Sequence, residues 1–78
     1  MRISILKCWG TVSSCGSFCD VHVFTDREEA RIKMREFFKE DMSEYEDDFV
    51  ETYVNTLDRI EFHCGDDYYY YKVEEHEL

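Results

Sequence analysis

The C-terminal part of the chain carries its strongest structural pattern, a β-hairpin. Residues 59–64 (RIEFHC) alternate between charged and apolar side chains, and residues 68–75 (YYYYKVEE) are aromatic and β-prone. The residues between them, GDD at 65–67, have the composition of a turn. The hairpin predicts a small antiparallel sheet. Because successive strand residues face opposite sides, two of the four tyrosines at 68–71 should lie on each face.

The first half of the chain predicts two strands and a helix. Residues 2–9 are typical of a first strand, and residues 20–24, which alternate and are β-branched, of a short second one. Residues 25–28 (TDRE) match a capping box with Thr25 as the N-cap, so we expect a helix from there to about Asp41. Its apolar residues recur at helical spacing. They are Ala30, Met34, Phe37 and Phe38.

A second capping box, SEYE at residues 43–46, predicts a second helix to about Leu57. Tyr45, Phe49, Tyr53 and Leu57 recur every four residues and would form its apolar face. Residues 52–57 are also good strand formers, so a strand there remains an alternative. The order β(β)ααββ predicts one α+β domain over residues 1–78, a mainly antiparallel sheet with two helices packed on one face.

The charge balance of the chain narrows the classes of partner. Lysine and arginine number 9 and aspartate and glutamate 19, which gives a formal net charge of −10. Direct binding to nucleic acid or to an anionic membrane needs a basic surface, so neither is expected. A hydrophobic content of 44% exceeds that of a disordered acidic tail. The N-terminal apolar run is too short for a signal peptide, and we expect a cytoplasmic protein.

Neither a catalytic motif nor a strong metal motif is present. No nucleophile elbow or phosphate-binding loop occurs, so the prediction is that the protein is not an enzyme and binds no cofactor. Cys15, Cys19 and His22, with Cys64 on the hairpin, could supply zinc ligands, but their spacing matches no zinc knuckle well. A structural zinc module therefore stays an alternative. In a cytoplasmic protein we expect the cysteines to be reduced.

Acidic residues on the predicted second helix suggest a binding surface. Glu44, Asp47, Asp48 and Glu51 occur at i, i+3, i+4 and i+7, which places them on one stripe of that helix. Like charges at this spacing repel, and they could mimic a row of phosphates; a merely solubilising face is the alternative. The turn and the exposed tyrosines would extend the surface. The predicted partner-binding residues are Glu44, Asp47, Asp48, Glu51, Asp66, Asp67, Tyr68 and Tyr70.

The first helix carries a basic row within an acidic protein. Arg27, Arg31, Arg35 and Lys39 recur every four residues and therefore share one side of that helix. The expected role of the row is internal charge balance, against the acidic second helix. Faces of opposite sign could also drive self-association, so a homodimer is a further possibility.

Two segments resemble parts of short uncharacterised proteins of bacteriophages and mobile elements. They are VHVFTDREEA at residues 21–30, a strand entering a capped helix, and the ending KVEEHEL at 72–78. In size and acidity the chain also resembles phage anti-defence inhibitors, including anti-CRISPR proteins. The resemblance implies an inhibitor in the host cytosol that binds a basic, nucleic-acid-binding surface of a host defence protein such as a CRISPR effector. The alternative is a structural zinc-binding or homodimeric domain without an inhibitory role.

Overall fold

The computed structural model of the protein describes residues 1–13, 16–45 and 50–77, without the side chain of Tyr53. Its five strands form one antiparallel sheet in the order β2-β1-β5-β4-β3, with a single helix beside it in the described part of the chain. The elements are β1 (Arg2–Val12), β2 (Gly16–Phe24), α1 (Arg27–Ser43), β3 (Val50–Asn55), β4 (Arg59–Cys64) and β5 (Asp67–Glu77).

The C-terminal hairpin forms as the sequence predicts. In β4 and β5, Arg59 pairs with Lys72 and Cys64 with Asp67, so the turn is made by the two residues between Cys64 and Asp67. Gly65 has a φ of +59°, a left-handed conformation that favours glycine at this turn. On its other side β5 pairs with β1, from Thr11 opposite Tyr68 to the N-terminal end of β1. The last strand of the chain is therefore the central strand of the sheet.

The core lies between α1 and one face of the sheet. The predicted division of the tyrosines is confirmed: Tyr69 and Tyr71 are buried towards α1, whereas Tyr68 is 37% exposed on the opposite face. Burying a large apolar side chain stabilises a fold by about 1.5–3 kcal/mol, so these contacts hold α1 on the sheet. The buried core residues are Leu6, Cys8, Ala30, Met34, Ile60, Phe62, Tyr69, Tyr71 and Val73. We call the sheet side opposite α1 the open face.

The prediction of two helices packed on the sheet is wrong. α1 ends at Ser43 with Glu44 as its C-cap, and the segment expected to be a second helix contributes strand β3 instead. β3 is rich in β-branched residues and pairs with the edge of β4, from Val50 opposite Cys64 to Asn55 opposite Ile60. The β3–β4 pairing satisfies the backbone hydrogen-bonding groups on the outer edge of β4. This stabilisation outweighs the helical periodicity of the segment's apolar residues.

The start of α1 lies one residue later than the capping box predicts. Asp26, with a φ of −123°, is the N-cap, and its carboxylate accepts the amide of Glu28 at 3.1 Å. Thr25 precedes the cap. From this start, Ala30 and Met34 are carried onto the sheet and are fully buried. No helix in the described ranges has the length and apolar content needed to cross a membrane.

Ion pairs fix one side of α1 to the connection between β3 and β4. Arg27 Nη2 lies 2.7 Å from Asp58 Oδ2, and Arg31 Nε lies 2.8 Å from Asp58 Oδ1. Arg35 donates to the carbonyl oxygen of Thr56 at 3.0 Å. The guanidinium of Arg31, followed by that of Arg27, lowers the pKa of Asp58. Arg27 and Arg31 of the basic row thus balance Asp58, and the expectation that the row faces an acidic second helix is wrong.

Candidate functional site

A cleft of about 730 Å³ lies between the C-terminal half of α1 and strands β2, β1 and β5. Four carboxylates line it: Asp20 from β2, Asp41 from α1, Glu44 at the C-cap and Asp67 at the start of β5. None of the described residues that line it is a lysine or an arginine. We call it the acidic cleft. Its lining combines concentrated negative charge with an apolar floor.

Strand alternation and helical spacing bring these carboxylates together. Asp20 pairs in register with Cys8, and Cys8 pairs with Tyr71, so the three form one row across the sheet. Asp41 follows the buried Met34 by seven residues, two helical turns, and so shares its sheet-facing side. Asp41 thus lies above a row that already contains a carboxylate. Both carboxylates therefore line the same cleft, and both raise the pKa of Cys8.

Tyrosine hydroxyls orient two of the carboxylates. Tyr71 donates its hydroxyl hydrogen to Asp41. Tyr45 donates to Asp67 at 2.7 Å, and the hydroxyls of Tyr45 and Tyr69 lie 2.8 Å apart. Since the Tyr45 proton goes to Asp67, the proton between the two hydroxyls comes from Tyr69. Burial raises the pKa of all three phenols, so they remain protonated donors at neutral pH.

The carboxylates of the acidic cleft differ in their electrostatic surroundings. Burial, with repulsion from Glu44 and Glu40, raises the pKa of Asp41 despite the hydrogen bond from Tyr71. The backbone amide of Ser13, 2.7 Å away, and the Tyr45 hydroxyl lower the pKa of Asp67. Within the described ranges, Asp20 forms no side-chain hydrogen bond or ion pair. The same holds for the Glu44 side chain. No lysine or arginine among the described residues therefore neutralises the negative charge of the cleft lining.

Aromatic rings form the walls beside these carboxylates. The ring centroids of Phe18 and Tyr69 lie 5.7 Å apart, and those of Phe37 and His22 lie 5.1 Å apart. An aromatic face attracts cations through its quadrupole, and most strongly where water is excluded. Carboxylates next to aromatic faces bind planar organic cations, of which the guanidinium group of arginine is the protein example. The arrangement is therefore suited to binding a cation.

The thiol in the acidic cleft is poorly suited to nucleophilic chemistry. Burial, together with the negative charges of Asp20 and Asp41, raises the pKa of Cys8 to about 12. A thiol with this pKa is almost entirely protonated at neutral pH, and the thiolate is the reactive form. Cys8 instead packs in the core, where it is 5% exposed.

The residues considered as zinc ligands do not converge in the described structure. Cys19 pairs with Trp9 on the open face, whereas His22 pairs with the buried Leu6 on the side of α1. Cys15 lies outside the described residues. Among the residues that are described, no group of three or more histidine, cysteine or acidic side chains could hold a metal ion.

Of the predicted partner-binding residues, the structure brings Glu44 and Asp67 together in the acidic cleft. Asp47 and Asp48 lie outside the described residues. Glu51 lies on β3, exposed, with its carboxylate 3.0 Å from the imidazole of His63. The helical stripe is therefore wrong as a structure, because Glu44 ends a helix and Glu51 lies on a strand.

The remaining predicted residues lie away from the acidic cleft. Asp66 is exposed in the turn between β4 and β5. The predicted tyrosines lie on the open face, where Tyr68 stacks on His63 with centroids 5.5 Å apart. Tyr70 stacks on Trp9 with centroids 5.6 Å apart. These stacked rings form cross-strand pairs that stabilise the sheet.

The sequence analysis did not identify Asp20 and Asp41 as site residues, although both carry a signal. Asp41 falls at the helical spacing of Met34 and Phe37, so it is a carboxylate on the apolar side of a helix. Phe18, Asp20 and His22 are every second residue of β2, so all three lie on the core side of that strand. An acidic residue at a core-facing position needs a reason, and a binding cleft supplies one.

No protein-family model, curated protein or solved structure matches this chain. The chemistry of the acidic cleft is therefore the basis for assigning a function.

Proposed function

We propose that the protein is an interaction module that takes an arginine side chain of a partner protein into the acidic cleft. The observation that carries this proposal is a pocket lined by four carboxylates with no lysine or arginine among its described lining residues. Burial and the repulsion from Glu44 disfavour the charged form of Asp41, so this carboxylate costs stability in the free protein. An incoming guanidinium offsets that cost, so binding and charge neutralisation occur together.

Arginine fits this site better than lysine does. Its guanidinium is planar, donates in a fixed fork to two carboxylate oxygens, and stacks on aromatic rings. The acidic cleft offers the carboxylates of Asp20 and Glu44 beside the rings of Phe18 and Phe37. The lysine ammonium is a compact, strongly hydrated charge that loses more on leaving water. We therefore expect arginine peptides to bind more tightly than lysine peptides of the same length.

Long-range electrostatics favour a basic partner. The net charge of −10 creates a negative field around a small domain, and such a field raises association rates with positively charged surfaces. Arginine-rich surfaces are common on proteins that bind nucleic acid. Occupying such a surface would compete with the nucleic acid, which is the inhibitory role implied by the resemblance to phage anti-defence proteins. The proposed contact is the acidic cleft and not a helical stripe.

A peptide titration followed by NMR tests the proposal. The labelled protein is titrated with a short peptide that carries two arginines, and in parallel with the same peptide carrying lysine or citrulline. Citrulline keeps the shape of arginine without its charge. We expect the arginine peptide to shift amides around Asp20, Asp41 and Asp67, and the citrulline peptide to leave them unchanged. Binding should weaken as salt is raised.

Two charge-matched variants locate the binding site. The double variant Asp20→Asn/Glu44→Gln removes two charges from the acidic cleft and should weaken binding roughly tenfold. The variant Glu51→Gln/Asp66→Asn removes the same charge from exposed positions outside the cleft and should retain most of the affinity. Equal losses in both variants would show that only net charge matters, and the cleft would then not be the binding site.

A further inference from the structure

Strand β2 lies at one edge of the described sheet. It pairs with β1, and no described strand pairs with its other side. It is nine residues long, has no lysine or arginine, and contains Asp20 as its one acidic residue. Val21 and Val23 are 57% and 62% exposed on the open face. Natural proteins usually blunt such an edge with charges, prolines or bulges, because an open edge is a template for another strand.

The other edge of the sheet differs in these respects. β3 has six residues, carries Glu51, and has a register shift between Thr52 and Val54 relative to β4. Short length, charge and an irregular register are the features that discourage strand addition. Only the edge at β2 is regular enough along its length to accept a further strand.

We infer that β2 pairs antiparallel with β2 of a second copy, with Val21 opposite its own counterpart on a two-fold axis. The two sheets then join into one continuous sheet. On the open face this register puts Cys19 of each copy opposite Val23 of the other. The two valines of the strand thereby gain side-chain neighbours across the interface and lose part of their exposure to water.

The side of β2 that faces α1 is self-complementary in the same register. Asp20 of each copy lies opposite His22 of the other, and Phe18 lies opposite Phe24. The carboxylate accepts a hydrogen bond from the imidazole whether that ring is neutral or charged. Opposite-charge and aromatic cross-strand pairs stabilise a sheet. Each of these contacts occurs twice because of the two-fold axis.

Neighbouring registers lack this complementarity. A centre on Asp20 puts two carboxylates opposite each other, and a centre on His22 puts two imidazoles together and Asp20 opposite Phe24. A centre between two residues would place core-side residues opposite open-face residues, which the alternation of a sheet forbids. The register centred on Val21 is therefore the one that the sequence of β2 favours. Asp20 and His22 also line the acidic cleft, so this dimer engages two residues of the proposed arginine site.

Sedimentation equilibrium over a range of protein concentrations tests the dimer. The wild-type mass should rise from 9.5 kDa towards twice that value, and more readily at higher salt, since each copy carries a charge of −10. Val21→Lys puts two like charges on the axis and should raise the dissociation constant roughly tenfold or more. Ile32→Lys on α1, at a position 54% exposed, is the matched control and should dimerise as the wild type does.

A crosslinking experiment tests the register. In a Cys15→Ser/Cys19→Ser background, Val21→Cys should form an intermolecular disulfide with oxidised glutathione, whereas Val23→Cys should not. The background protein without an added cysteine controls for Cys8 and Cys64. A wild-type protein that stays monomeric, a Val21→Lys variant that still dimerises, or crosslinking at position 23 instead of 21 would overturn the inference.

Discussion

The two sides of α1 place carboxylates in opposite electrostatic settings. On the side of β4, Asp58 lies between the guanidinium groups of Arg27 and Arg31, with contacts of 2.7 and 2.8 Å. On the side of β2, the four carboxylates of the acidic cleft have no lysine or arginine among the described residues around them. Arg27, Arg31 and Arg35 are directed to the first side, whereas Lys33 lies over the ring of Phe37 and contacts none of the four carboxylates of the second side.

The pKa shifts record this difference. The guanidinium of Arg31 is the main cause that lowers the pKa of Asp58, whereas burial raises that of Asp41. A carboxylate with a lowered pKa stabilises the folded protein in its charged form, and one with a raised pKa destabilises it. We conclude that the paired carboxylate has a structural role. In the acidic cleft the raised pKa belongs to Asp41, so the charge of this carboxylate lowers stability until a cation binds.

The largest effect is expected at the paired carboxylate. Asp58→Asn keeps the shape of the side chain but removes the charge that two guanidinium groups share, and it should destabilise the fold by about 1.5 kcal/mol. That value lies below the cost for a fully buried pair because Asp58 is 30% exposed and Arg27 is 37% exposed. Urea unfolding at neutral pH measures it.

The control and the pH dependence sharpen this prediction. Asp20→Asn, on the other side of α1, should leave the free energy of unfolding unchanged or slightly raised. Because the pKa of Asp58 is lowered in the fold, its contribution is present above its ordinary pKa and disappears as pH falls through the folded value. Equal destabilisation by Asp58→Asn and Asp20→Asn would remove the distinction between the two sides.

A smaller effect is expected from the hydroxyl of Tyr45, which holds Asp67 in the acidic cleft. Tyr45→Phe removes the donor 2.7 Å from that carboxylate and should cost about 1 kcal/mol of stability. The pKa of Asp67 should move back towards its ordinary value, which NMR titration of the carboxyl measures. Tyr70→Phe, where stacking on Trp9 is retained, is the matched control and should be nearly neutral. A similar loss in both variants would show that the hydroxyl contact does not hold Asp67.

The parts of the fold that sequence predicts are those governed by short-range rules. The hairpin of β4 and β5 has a two-residue turn with glycine and strictly alternating strands, and α1 has a strong apolar period. Residues 44–57 satisfy two local patterns, a helical period from Tyr45 to Leu57 and a set of β-branched strand formers. The pairing of β3 with β4 decides between them, and it depends on residues outside the segment.

The acidic cleft could not be predicted in the same way. Asp20, Asp41 and Asp67 come from three elements, and they meet only because β5 inserts beside β1. The pairing of Cys8 with Tyr71 joins residues from opposite ends of the chain. A sequence shows that Asp41 shares a side of the helix with apolar residues. It does not show which carboxylates of the sheet face that side of the helix. The predicted stripe was therefore built from acidic residues that are close in sequence.

The smallest effect, and the one that separates the two sides most directly, is expected at Asp41. Asp41→Asn removes a charge that burial and Glu44 disfavour, while the amide oxygen can still accept from Tyr71, so we expect a gain of about 0.5 kcal/mol at neutral pH. The raised pKa means that the wild type recovers this stability as pH falls through the folded value, so the gain should vanish in acid.

Urea unfolding of Asp41→Asn across pH, with Asp66→Asn as a charge-matched control at an exposed position, measures this gain. The same variant should bind the arginine peptide more weakly, because the charge that lowers stability is the charge that a guanidinium neutralises. Stability and affinity would then change in opposite directions at one residue. A loss of stability comparable with that of Asp58→Asn would mean instead that the cleft carboxylates support the fold, and the case for a cation-binding cleft would fail.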